Sequence, residues 1–471
     1  MYSLKKVKIV NIVLVVSFIF SVSTGCSSDN NFIKGFNDSN TKKENMQNMT
    51  QKGGMNGENT NEMNKQHPQN VMDQKNNSIS IDEANKIEND ILKKVDYKAE
   101  EGKYNIVDTG VVKYYSDKKE ISEPIKNSEF YGQDANYINN SPSYTDNKDG
   151  TITDNNTNLI WQKETEDKIT WEEAVEGASK CNIGGYNDWR LPTVKELYSL
   201  IQFTGYSNVE GYKPYIDTDY FDFSYGDESV ERKIDSQYAT STIYESDTMN
   251  GNATMFGVNF ADGRIKGYPI SNKKFYVMYV RGNTSYGMNK FVDNKDGTIT
   301  DLSTGTMWLT YDSGYLTDEK AMDWKSALAW CENLDYAGYD DWKLPNAKEL
   351  QSIVDYSRSP DTTDSAAINE MFYSSEITDV SGEKNYPSYW TSTTHLDGRI
   401  PEDSAVYISF GEALGYMNNK FLDVHGAGAQ RSDPKTGSKD EYPNYGDAPQ
   451  GDVRTVFNYV RAVRVIDDNS N

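Results

Sequence analysis

The chain repeats itself, and that constrains its fold more than any single motif does. The stretch DNKDGTITD occurs at Asp146–Asp154 and again at Asp293–Asp301, followed each time by an apolar–Trp pair, Ile160-Trp161 and Met307-Trp308. A helical stretch opening on Trp comes next (TWEEAVEGASKC, then DWKSALAWCENL), and after it GYNDWRLPTVKELYSLI and GYDDWKLPNAKELQSIV. YATST at Tyr238 answers YWTST at Tyr389, GVNFADG answers YISFGEA, and YVMYVRG answers YVRAVRV. Self-similarity on this scale means two homologous domains in tandem.

The repeated DNKDGTITD invites a calcium-loop reading, which its spacing rejects. With Gly150 as the invariant glycine of an EF-hand loop, Thr145 stands at the first ligand position, and with Gly297 it is Val292. Neither copy supplies the closing bidentate Glu. Asp-Gly followed by alternating Thr-Ile-Thr reads instead as a β-hairpin. Further on, Thr170 and Glu173 have capping-box spacing, and Pro192-Thr193 and Pro345-Asn346 place N-caps before a second helix. That helix has an apolar side of Leu197, Leu200 and Ile201, or of Leu350, Ile353 and Val354. Two helices followed by short antiparallel strands predict an α+β domain. The Trp residues are expected as core anchors, and the Asp and Arg or Lys flanking Trp189 and Trp342 as pairing groups.

The first residues, MYSLKKVKIVNIVLVVSFIFSVSTGC, place lysines before an apolar run and small residues before Cys26. This pattern predicts a lipoprotein signal peptide over 1–25 with lipid attachment at Cys26, and hence a protein exported and anchored to the cell membrane, facing the exterior or envelope. Residues 26–100 are rich in Asn, Lys, Gln and Met, too polar to bury a core, and are expected as a disordered low-complexity spacer with a short helix in SIDEANKIENDILKKV. The formal charge of −24 opposes nucleic acid, anionic lipid and sulfated polysaccharide as partners. Cys181 and Cys331 fall on the apolar stripes of their helices, which predicts two free thiols in separate cores.

The segments FVDNKDGTITDLSTGTMWL, GYNDWRLPTVKELYSLI and YVRAVR resemble the Lcl C-terminal domain family, over 104–283 and 288–467. YNIVDTG…FYGQDANY…SPSYTDN is similar to the family's entry strand. The family is grouped with C-type-lectin-like folds and the formylglycine-generating enzymes, so the resemblance implies two helices flanking curled antiparallel sheets, with long loops on one face. Members commonly read YVRCVRG at the closing strand, pairing that Cys with one on the first helix. Here the position holds Tyr279 and Ala462. No Cys follows Cys331, so the reactive pair of the formylglycine-generating enzymes is missing. The EPN or QPD plus WND signatures of calcium-dependent lectins are absent, as are Ser-His-Asp, P-loop and HExxH patterns.

Matched positions stand 147 apart at the hairpins, 153 at the DW elements and 183 at Arg281 and Arg464. The second copy is therefore expected to carry one late insertion of roughly 30 residues, DVHGAGAQRSDPKTGSKDEYPNYGDAPQGD, a length that marks functional loops. His395 after YWTST and His425, Gln430, Arg431 and Asp433 in the insertion are the candidate ligand-binding residues; no metal, catalytic residue or cofactor is assigned. The expected function is non-enzymatic adhesion, with lectin-like loops recognising an extracellular glycan or partner protein and the lipid anchor holding the membrane. Two alternatives stay open: a structural envelope protein without a small ligand, and an enzyme with its site at the His395 and His425 loops.

Overall fold

The computed structural model describes residues 79–94 and 102–466, apart from 209–210, 250, 272 and 447–449. The expected signal peptide, Cys26 and most of the spacer lie outside the described residues.

Each copy opens on its hairpin. Tyr144–Asp146 pairs antiparallel with Thr151–Asp154, and Phe291–Asp293 with Thr298–Asp301. Lys148 and Gly150 take the positive φ values of 62° and 88° that the turn demands. Asp146 Oδ1 accepts from the Lys148 amide at 2.8 Å, and Asp149 Oδ1 accepts from the Thr151 amide and hydroxyl. The same bonds recur at Asp293 and Asp296. The turn carboxylates are thus engaged by their own hairpin. The Trp-bearing strands Leu159–Gln162 and Thr306–Leu309 come next, each flanked by its closing strand, Val280–Gly282 or Val463–Val465, to complete a four-stranded sheet.

Besides two four-residue helices, the described residues form α1 (Ile81–Lys94), α2 (Trp171–Ala178), α3 (Val194–Tyr198), α4 (Trp324–Glu332) and α5 (Ala347–Ser352) around the sheets. Capping boxes form at Thr170/Glu173, Thr193/Glu196 and Asn346/Glu349. Glu196 also takes the Arg190 guanidinium at 2.6 and 2.5 Å, and Glu349 takes Lys343 at 2.6 and 2.8 Å. Asp188 pairs with Arg281 and Asp341 with Arg464, each at 2.6 Å. The charged groups around Trp189 and Trp342 are pairing groups, as the sequence predicted, and the α+β class holds.

The cysteines need one correction. Cys331 is fully buried on α4, but α2 ends at Ala178, so Cys181 stands beyond the helix and only half-buried. Both are free. Where the family's closing-strand cysteine is missing, Tyr279 donates its hydroxyl to the Ala174 carbonyl at 2.8 Å. It lies over Gly177, where a Cβ would come within 2.2 Å of that hydroxyl. The second copy reverses the sizes, with Trp330 on the helix and Ala462 on the strand.

The copies share a sheet. Its strands are β1 (Ile243–Thr248), β2 (Asn252–Asn259), β3 (Arg264–Pro269), β4 (Ser388–Thr394), β5 (Ser404–Ser409) and β6 (Gln430–Pro434), in the order β1-β2-β3-β6-β5-β4, with a seventh, Gln237–Tyr238, pairing with β2 beside β1. That order reads the same from either edge, with the Ile265↔Gln430 pair at its centre. Leu197, Phe256 and Ile265 of the first copy lie in one core with Leu350, Tyr389 and Ile408 of the second, while smaller clusters surround Trp171/Trp189 and Trp324/Trp342. The tandem domains are therefore joined by a common core as well as by the chain.

Register also corrects the insertion. Ile265 faces Val258 as Gln430 faces Ile408, and Lys266 faces Gly257 as Arg431 faces Tyr407. β6 is thus the counterpart of β3, not part of an inserted loop. The extra residues come in two pieces: a hairpin before β6 (Leu414–Met417 with Lys420–Asp423) and a loop between β6 and Asn458.

The segments before the first hairpin are less loose, and less local, than expected. α1 lies against β1 and β2 with Ala84 fully buried. The lead-in, expected as an entry strand, crosses to the second copy: the Tyr104 amide donates to the Ser303 carbonyl, Tyr137 Oη to Glu332 at 2.5 Å, and Lys348 Nζ to the Asp108 carbonyl at 2.9 Å.

Candidate functional site

Because β3 and β6 run side by side, their charged side chains meet at the junction of the copies. Lys266 pairs with Asp262 at 2.6 Å, Arg264 pairs with Asp262 at 3.5 Å and with Asp397, and Arg431 pairs with Asp452. A cavity of about 420 Å³ lies between them, lined from one side by Asp262, Arg264 and Lys266 and from the other by Arg431, Asp433 and Asp452.

Of the five predicted ligand residues, Arg431 and Asp433 line this cavity. Gln430 is buried in the strand pairing, its amide donating to the Arg431 carbonyl. His425 is buried with Nε2 3.0 Å from Asp452 Oδ1. His395 is buried against the Phe203 and Tyr215 rings, with Nε2 3.0 Å from the Asp262 carbonyl oxygen. Neither histidine is among the lining residues, so they form the cavity's support and do not converge on a common substrate position.

Burial sets the protonation here. It takes His395 down to about 3, helped by Arg264, and His425 well below its ordinary value, helped by Arg431. Both imidazoles are neutral at neutral pH. Burial also lowers Lys266 to about 8 and raises Asp433 to about 7. For Asp262 burial works upward, but Lys266 and Arg264 more than reverse it and leave the carboxyl below its usual range.

A second concave feature, of about 580 Å³, lies wholly on the second copy. Arg461, fully buried and not itself a lining residue, holds the lining loop: its Nη1 donates to the Leu309 and Thr310 carbonyls and Nη2 to the Tyr373 carbonyl, all at 2.9 Å. Asp312, also buried, accepts from the Ser375 amide and hydroxyl and from Tyr389 Oη, each at 2.7 Å. These bonds clamp the loop carrying Tyr373 against the turn carrying Tyr311 and Tyr315. As a result Tyr311 and Tyr373 stack with centroids 5.0 Å apart and planes at 15°, and Tyr315 meets Tyr311 edge-on at 5.7 Å. Tyr315 and Tyr373 remain 55% and 53% exposed. Arg358, Lys320, Asn369, Glu370 and Glu376 supply polar groups around them.

Sequence reasoning missed this cleft. Two signals were present: Arg461 stands where the first copy has Met278, and the run from Trp308 to Trp324 is longer than that from Trp161 to Trp171.

The model of the Lcl C-terminal domain family matches the chain twice, at residues 150–281 and 297–426. The second match stops short of β6, which the register nevertheless assigns to the second copy. Neither a curated protein nor a solved structure matches the chain. With two tandem matches that together span more than half its length, and with the same hairpin, helices and closing strand in each, the chain belongs to the Lcl C-terminal domain family.

Proposed function

We propose that this is an exported, lipid-anchored binding protein of the cell surface that recognises a glycan through the tyrosine cleft of its second copy, without catalysing a reaction. The observation that carries this is the Tyr311–Tyr373–Tyr315 cluster, held half-exposed by a buried Arg and a buried Asp. Rigid aromatic faces bury large apolar area at small entropic cost, and sugar rings present apolar C–H faces of matching size. The surrounding amide, carboxylates and cations offer partners for hydroxyls, as specific sites require. The lectin-like superfold of the family supports the reading by analogy alone. Attachment at Cys26 would hold the domains at the membrane. The net charge of −24 favours an uncharged glycan over a sulfated one.

A glycan array probed with the Cys26→Ser chain tests this. Capture of uncharged glycans, weakened about tenfold or more by Tyr373→Ala or Tyr315→Ala in a protein that still melts normally, is the expected result. Salt-sensitive capture by sulfated glycans, or binding indifferent to both substitutions, would overturn it. Binding to protein targets that needs the same tyrosines would move the assignment to a partner protein.

A further inference from the structure

The tyrosine cleft does not end at its own rim. A further hollow of about 290 Å³ opens beside it on the second copy, and Tyr386 and Tyr459 stand in the lining of both. The Tyr459 backbone is fixed to β4 at this shared wall: its amide donates to the Ser388 carbonyl and its carbonyl accepts from the Trp390 amide, each at 3.0 Å. Both extra pieces of the second copy contribute to the hollow, the hairpin through Leu414 and the loop through Pro443, Val453 and Phe457.

Past Leu414 stands a second aromatic platform. Side chains two apart on a strand share a face, so Tyr416 continues the Leu414 wall, and it pairs with Phe421 in the hairpin register. Tyr445 of the loop closes on both. Ring centroids are 4.9 Å apart for Tyr416 and Phe421, 5.1 Å for Tyr416 and Tyr445, and 4.8 Å for Phe421 and Tyr445. The Tyr416 amide donates to the Gly451 carbonyl at 2.8 Å, which ties the loop to the hairpin. Tyr445 is 44% exposed, and Tyr416 and Phe421 are half-buried. A ring cluster held open to water on two added pieces of chain marks a contact surface.

The hollow that joins the two platforms restricts what can lie in it. Among the described residues its lining has no Lys, Arg or His, and it includes Asp379, Asn385, Glu412 and Asn458. Burial, and after it the Asp423 and Asp361 carboxylates, raise Glu412 to about 8, so at neutral pH it offers a hydroxyl and a carbonyl more than a charge. A polyanion would meet carboxyl groups with no cation to offset them. An apolar peptide would leave these polar groups unpaired. An uncharged chain of hydroxyl-bearing rings suits both the aromatic ends and the polar middle.

We propose that the tyrosine cleft, this hollow and the Tyr416–Phe421–Tyr445 cluster form one track for a linear, uncharged polysaccharide, held along several successive sugar units and not at a chain end alone. The proposal rests on glycan recognition at the tyrosine cleft and adds the form of the ligand.

Calorimetry of the Cys26→Ser chain with cellulose, chitin and mannan oligomers of increasing length tests this, with heparin oligomers as the charged control. Affinity within an uncharged series should rise about tenfold or more from the disaccharide upward and then level off as the track fills. Tyr445→Ala, at an exposed position, should remove most of that gain, whereas Tyr373→Ala should weaken every length. If Tyr445→Ala melts early, the parent's own length series decides. Binding equal at all lengths, or a gain with length that survives in a normally melting Tyr445→Ala, would overturn the track and leave the cleft reading standing. A gain confined to heparin oligomers would overturn both. No binding of any series would overturn the track, and together with an empty glycan array the cleft reading as well.

Discussion

Lys195 Nζ donates to the Ser352 carbonyl at 2.7 Å, and its counterpart Lys348 donates to the Ser199 carbonyl at 2.8 Å. Each copy's lysine thus binds the C-terminal end of the other copy's second helix, where unpaired carbonyls attract cations. Burial lowers both lysines to about 8. This reciprocity, together with the common core, predicts that the two copies unfold in one step. Calorimetry should show a single transition, and Lys348→Met should lower its Tm by stranding the Asp108 and Ser199 carbonyls, a loss of about 1–3 kcal/mol. Two resolved transitions would refute the joint core.

Gly177→Ala should destabilise the chain despite alanine's higher helix propensity, because its Cβ would lie 2.2 Å from Tyr279 Oη. Overpacking of this kind costs about 1–3 kcal/mol. Tyr279→Phe loses the bond to Ala174 but removes the clashing atom. The double variant should therefore be more stable than the two single losses add to, which denaturant titration of all four proteins measures. Strict additivity would mean the side chains do not meet.

The thiols should react in sequence. Cys181 is half-buried and Cys331 fully buried, and burial raises both thiols. In the Cys26→Ser chain a thiol reagent should modify Cys181 slowly in the native state and reach Cys331 only after unfolding. Mass spectrometry of the native-state product identifies the site. Early modification at Cys331 would contradict the packing of α4.

Asp134 gives a pH prediction. Its Oδ2 accepts from Thr109 at 2.7 Å and Thr393 at 2.6 Å, yet burial first, and Asp108 second, raise its carboxyl to about 7. The folded chain therefore holds a proton there that the unfolded chain releases near pH 4. That contribution to stability is complete below about pH 4 and lost as pH rises through about 7. Asp134→Asn has no proton to lose, so its Tm relative to the parent should improve between about pH 5 and about pH 8. The opposite slopes of His395 and His425 are common to both proteins and cancel. A Tm difference that does not change with pH would rule out the raised value.

What the sequence showed and what it hid divide along physical lines. Hairpins, capping boxes and the Asp188 and Asp341 ion pairs depend on neighbours or on a matched copy, so residue type and spacing revealed them. β6 was hidden because Gln-Arg-Ser-Asp-Pro has none of the apolar alternation that marks a strand. Tertiary pairing on both edges makes it one, and only register shows it to be β3 over again. The expectation of a single loop insertion followed from that missing strand. Arg431 and Asp433 were picked for being polar, and they line a cavity. His395 and His425 were picked for the same reason and turn out to be neutral, buried supports. The partners of all four lie far away in the chain, which no local pattern records.

The palindromic sheet has a consequence for stoichiometry. Two identical chains meeting edge to edge would place the same residue on both sides of the axis, and a ligand there would have two equivalent orientations. Here one chain supplies both edges, and the edges have diverged: Ile265 stands against Gln430, and Lys266 has Arg431 as its counterpart. A molecule lying across the axis therefore meets a different wall at each end and has one preferred direction. One chain presents a single asymmetric seam, not two equivalent half-seams.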